Sequence, residues 1–157
     1  TAPAGEQAPS RPVVGEEHDV PCLGASSAVY GAQLQRLIDR ELADWRAYQA
    51  LSRRAQGNSG RVLATIAADE RRHAKRLSTA YFLISGVRYW PEGEKCPPVT
   101  SYLGTLRRRF AQEQATMAAY LTGTETTTDP CLQQLFWEHA REAWDQACKI
   151  RTLVEQA

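Results

Sequence analysis

Glu70 and His73 stand three residues apart, between Ile66 and Leu77, which mark the apolar stripe of a helix. Residues three apart share a helix face, so the spacing predicts a carboxylate and an imidazole on the buried side. Burying both is costly unless something pairs with them. A metal cation is one such partner, and carboxylate oxygen with imidazole nitrogen suits Fe, Mn or Zn. A repeat extends the pattern: Glu41–Tyr48 (ELADWRAY) is echoed by Glu113–Tyr120 (EQATMAAY) at an offset of 72 residues. The same offset carries Glu70 to Glu142, so each half places a second Glu 29 residues after its first. Four helices that each donate an inward carboxylate at similar depth are how a bundle holds a pair of metal ions. Tyr48 and Tyr120 lie two turns beyond their Glu residues. They share that face and can hydrogen-bond a ligand carboxylate from outside the coordination sphere.

The pattern weakens in the fourth helix. In the repeat register Asp145 stands where a second His is expected, three residues after Glu142. That register gives Glu41, Glu70, His73, Glu113, Glu142 and Asp145 as metal ligands, an anionic set that favours the more highly charged metal state. A rival register uses His139 with Glu142, or Glu138 alone, because Leu132, Leu135, His139 and Glu142 also follow a helical stripe. The equal spacing in the two halves favours the first register; both stay open at this point.

These residues need helices to position them. The periodicity predicts a first helix from Ser26 or Ser27 to Gly57 and a second from about Arg61 to Ser85, closed by Gly86. Val87 to Thr100 carries Pro91, Pro97 and Pro98 and is too rich in proline for a helix. A connection of that length can run from one end of a bundle to the other. The third helix is expected over Ser101–Leu121, followed by a Gly/Thr-rich turn at Thr122–Thr128. Asp129-Pro130 restarts the chain, with Asp as N-cap and Pro in the first helical position, and the fourth helix runs from Cys131 toward Val154. The fold class is all-α: a four-helix bundle over residues 25–157 with a long crossover between helices 2 and 3. Residues 1–24 read as an irregular N-terminal tail that contains His18.

A net charge of +1 over 157 residues gives no drive toward nucleic acid, and no apolar run approaches the roughly 20 residues of a membrane span. Trp45, Trp137 and Trp144 read as core or subunit-contact residues. Arg71, Arg72, Lys75 and Arg76 read as water-facing. No Cys-x-x-Cys pair is present, so a zinc ribbon is not encoded. Cys22, Cys96 and Cys131 each adjoin a proline, and a disulfide among them or free thiols are both open readings. A cytoplasmic location is the first expectation. Export is the second, because the chain opens on Thr1 as after removal of a leader.

Asp69-Glu70-Arg71-Arg72-His73-Ala74-Lys75-Arg76-Leu77 resembles the second helix of the rubrerythrin family, in the ferritin-like superfamily, and Glu41 with Ala47-Tyr48 resembles its first. The resemblance spans about Ala28 to Val154, with only the second helix matching closely. It implies a ferritin-like bundle, often a homodimer, with a non-haem centre of two metal ions, iron first and Mn or Zn next. It also implies reduction of peroxide or dioxygen, or oxidation of ferrous iron, with electrons from a separate donor. The chain departs from the family in three places. The rubredoxin domain is missing, Thr116 stands where a further Glu ligand is expected, and Asp145 stands for the second His.

Overall fold

The computed structural model describes residues 19–157. Of the expected tail, residues 1–18, including His18, lie outside the described residues. Ala25–Tyr30 forms a 3₁₀ turn that leads into α1 (Gly31–Ser52); α2 (Asn58–Ser85), α3 (Tyr102–Thr126) and α4 (Pro130–Gln156) follow, with no strand among the described residues. No described helix is long and apolar enough to cross a membrane.

The helix ends follow local chemistry. The Asp129 carboxylate accepts from the amides of Cys131 (2.8 Å) and Leu132 (3.2 Å), and Pro130 occupies the first turn, as the sequence predicts. Ser101 Oγ accepts from Gly104 N–H at 3.0 Å and caps α3. Gly86, at φ 76°, closes α2 in the left-handed region that favours glycine. Two expectations differ. The turn expected at Thr122–Thr128 is mostly helix, because α3 continues to Thr126. Neither Ser26 nor Ser27 caps α1: Ser27 Oγ instead donates to Asp129 Oδ2 at 2.5 Å. Leu23 N–H donates to the same oxygen at 2.7 Å. Beside this knot a Cys22–Cys131 disulfide ties the segment before α1 to the start of α4, leaving Cys96 and Cys148 free.

α1 packs on α2 and α3 on α4 as two helical hairpins. Cross-links between hairpins set their directions. Tyr48 meets Glu113 while Tyr120 meets Glu41, so α1 and α3 are antiparallel. His73 meets Glu142 while Arg76 meets Glu138, so α2 and α4 are antiparallel as well. The end of α2 and the start of α3 then lie at opposite ends of the bundle, and residues 86–101 must travel its length. They do so along α1. Tyr89 Oη donates to Asp39 (2.7 Å), and farther along Arg46 donates to Glu92 O and Arg54 to Val99 O. The core forms two clusters, one around Leu34, Ile38, Leu77 and Phe136 and one around Leu51, Leu63, Leu106 and Ile150. A polar cluster lies between them.

Candidate metal centre

The buried positions of the two halves match in two different registers. Buried Leu34, Glu41, Asp44, Tyr48 and Leu51 of α1 correspond to Leu106, Glu113, Thr116, Tyr120 and Gly123 of α3 at the offset of 72. On the second helix of each pair the offset is 73: buried Leu63, Ile66, Glu70, His73 and Leu77 correspond to Phe136, His139, Ala143, Gln146 and Ile150. One added residue turns a helix by about 100°. Ala143 and Gln146 therefore occupy the inward positions that the sequence repeat assigns to Glu142 and Asp145. Asp145 lies on the exposed face. Glu142, 32% exposed, sits at the rim and reaches inward to one group only, His73 Nε2 at 2.7 Å.

Six expected residues do come together. Glu41, Glu70, Glu113 and His73 are each at most 2% exposed, and Tyr48 and Tyr120 are closed off beside them. Each Tyr serves the opposite half: Tyr48 Oη donates to Glu113 Oε2 at 2.6 Å, and Tyr120 Oη donates to Glu41 Oε2. His73 Nδ1 faces Glu70 Oε1 at 3.2 Å and Glu41 Oε1 at 3.6 Å. Both acceptor-only neighbours of Gln146 are carboxylate oxygens, so its amide nitrogen faces them, donating to Glu113 Oε1 and Glu70 Oε1 at 3.2 Å each.

Three buried groups beyond the repeat reading join the cluster. Asp44 lies one turn from Glu41 and pairs with Arg109 Nη1 at 2.9 Å; the i, i+3 spacing from Glu41 is the signal that could have found it. Gln146 follows from the apolar stripe of α4 once Ala143 is placed inward. His139, the rival-register residue, is fully buried; its ring stacks 4.3 Å from that of His73 and stands edge-on to Tyr120 at 5.1 Å. Trp137 and Trp144, by contrast, are about half exposed on the outer face of α4. Arg72 reaches Glu142 at 2.7 Å.

The electrostatics show how poorly this cluster suits an apolar core. Burial pushes Glu113 up to about 7, only partly opposed by the Tyr48 hydrogen bond, and Asp44 up to about 6 despite Arg109. Burial and the charge of Glu41 raise Glu70 well above the usual carboxylate range. Burial alone would lower His73, but the carboxylates of Glu142, Glu41 and Glu70 that face its ring outweigh it and lift the imidazolium to about 12. Burial, then the charges of His73, Arg76 and Arg72, drive His139 down to about 2. Glu41 Oε1, Asp44 Oδ2, Glu70 Oε2, Thr116 Oγ1 and both ring nitrogens of His139 are buried without a hydrogen-bond partner. Each such atom costs about 1–3 kcal/mol, against a total stability of about 5–15 kcal/mol for an ordinary domain. A cation would offset that cost. Donor atoms of Glu41, His73 and His139 lie within 4.8 Å of one another, as do those of Glu41, Asp44 and Glu70. Carboxylate oxygens with imidazole nitrogens fit Fe, Mn or Zn. Cys22, Asp129 and Cys131 are equally close, but both sulfurs are spent in the disulfide. The chain matches no protein-family model, no curated protein and no solved structure.

Proposed function

We propose that this chain is a metal-binding four-helix protein of the ferritin-like, rubrerythrin-like kind, holding a divalent transition-metal ion between its helices. The observation that carries this reading is the convergence of Glu41, Glu70, Glu113 and His73 from three helices, with carboxylate oxygens left unpartnered. The first half supplies a complete set, Glu41 with Glu70 and His73. The second half supplies Glu113 but has Ala143 and Gln146 where a Glu and a His would complete a second site. The donor set thus supports one strong site per chain more directly than two. Iron is the first candidate, with Mn and Zn next. Under this reading the ion would supply Lewis acidity or redox chemistry. The protein's part is to orient the ligands and to exclude water around them. Reduction of peroxide or oxidation of ferrous iron remains the activity to test, with a separate electron donor for any turnover.

Metal analysis of the chain purified without chelator tests the binding. About one equivalent per chain is expected, and less than about half an equivalent counts against it. Absorption on adding ferrous iron and peroxide tests the redox step: without rapid formation of a ferric chromophore, metal binding stands alone.

A second reading has its own support. His73 contacts three carboxylates and is held protonated, so the imidazolium is an internal counter-cation. A structural module could rest on it without metal. In that case added metal ions leave the melting temperature unchanged. The Cys22–Cys131 disulfide supports an exported protein over a cytoplasmic one, because such bonds persist in oxidising compartments.

A further inference from the structure

Packing against His73 and Tyr120 accounts for the His139 ring but not for its two nitrogens. His139 is 0% exposed, and neither ring nitrogen has a hydrogen-bond partner. At the corresponding place in the first half, 73 residues earlier, stands Ile66, also buried. An apolar side chain therefore fills that position in the first half, and the second half has an imidazole there. Its ring lies 4.3 Å from the His73 ring, and one donor atom from each of Glu41, His73 and His139 falls within 4.8 Å of the others.

We infer that His139 is itself a metal ligand, completing a two-imidazole, one-carboxylate site with His73 and Glu41 for a first-row divalent transition-metal ion. The inference rests on the metal-binding reading above and specifies which donors hold the ion. Two His with one carboxylate is a donor set that leaves coordination positions open and suits ferrous iron. His73 can give one nitrogen to the ion and keep a carboxylate on the other, since Glu70 faces Nδ1 and Glu142 faces Nε2. That outer hydrogen bond fixes the ring and raises its basicity as a ligand. The competing all-oxygen set, Glu41 with Asp44 and Glu70, shares only Glu41 and contains no imidazole. Asp44 is also engaged with Arg109.

Cobalt(II) is the probe, added to the full chain. X-ray absorption at the cobalt edge counts imidazoles, and chelator competition gives the affinity. Two imidazoles on one cobalt per chain are expected. His139→Phe keeps the ring volume, and it should retain the fold, lose one imidazole from the spectrum and weaken binding on the order of 100-fold. Cobalt bound with one imidazole or none, or with equal affinity in His139→Phe, overturns the His139 assignment and leaves the metal-binding reading standing. No cobalt bound at all overturns both. Should His139→Phe fail to fold, the imidazole count on the unaltered chain decides.

Discussion

The two helical hairpins share a plan on one pair of helices and differ on the other. α1 and α3 keep Glu and Tyr at matching positions, and each Tyr reaches across to the other's Glu. α2 and α4 do not match: α2 presents Glu70 and His73 to the centre, while α4 presents Ala143 and Gln146. The difference is one residue of register, and it replaces a carboxylate and an imidazole by a methyl group and an amide. A helix cannot rotate part of its face; a one-residue shift moves every side chain by about 100°. The lesson is that a repeat can persist in the letters of a sequence while its inward face has moved.

The comparison can be broken most sharply by restoring what α4 lacks. The double substitution Ala143→Glu with Gln146→His should raise metal stoichiometry from one ion per chain to two, measured by elemental analysis after gel filtration. It should also lower the metal-free stability by several kcal/mol, since it buries a further carboxylate. A stoichiometry that stays at one would show that the halves are not related in this register.

A pH series on metal-free Glu113→Gln should give the next largest effect. Burial raises Glu113 from the usual 4.5 to about 7. Its folded form holds the proton more tightly than its unfolded form, so its contribution is fully present below pH 4.5 and is lost as the pH rises through about 7. Gln has no proton to lose. The variant should gain on the parent chain by up to about 3 kcal/mol between pH 4.5 and 7.5. Parallel melting curves across that range would contradict the burial of an ionisable Glu113.

Smaller still is the contrast between the two tyrosines. Tyr120→Phe releases Glu41, which belongs to the complete half, and should weaken metal binding about tenfold. Tyr48→Phe releases Glu113 in the incomplete half and should do less, as competition titrations would reveal. Asp145→Asn should do least: an exposed residue outside the cluster is expected to move stability by no more than about 0.5 kcal/mol and leave metal affinity unaltered. A clear loss of metal there would revive the repeat register.

Much of this arrangement was legible in the chain. The four long helices, the crossover and the Asp129-Pro130 start follow from period, proline content and capping chemistry. Glu41, Glu70, His73 and Glu113 came from spacing alone, because the offset of 72 holds through α3. Asp145 was misplaced because Glu142 alone repeats Glu70 at the offset of 72, whereas burial on α4 is set by Leu132, Phe136, His139, Ala143 and Ile150. The apolar stripe carries more energy than any one charged letter, and it fixes which face turns inward. The pairing of Cys22 with Cys131 had no local signal, since only the folded topology brings residues 109 apart in sequence together.

That bond has a topological consequence. It joins the chain just before α1 to the first turn of α4, so everything between, including the strap at 86–101, belongs to one covalent ring. A single proteolytic cut in the strap would open the ring without separating the fragments. On a denaturing gel the nicked protein should run as one species until a reductant is added, and then as two.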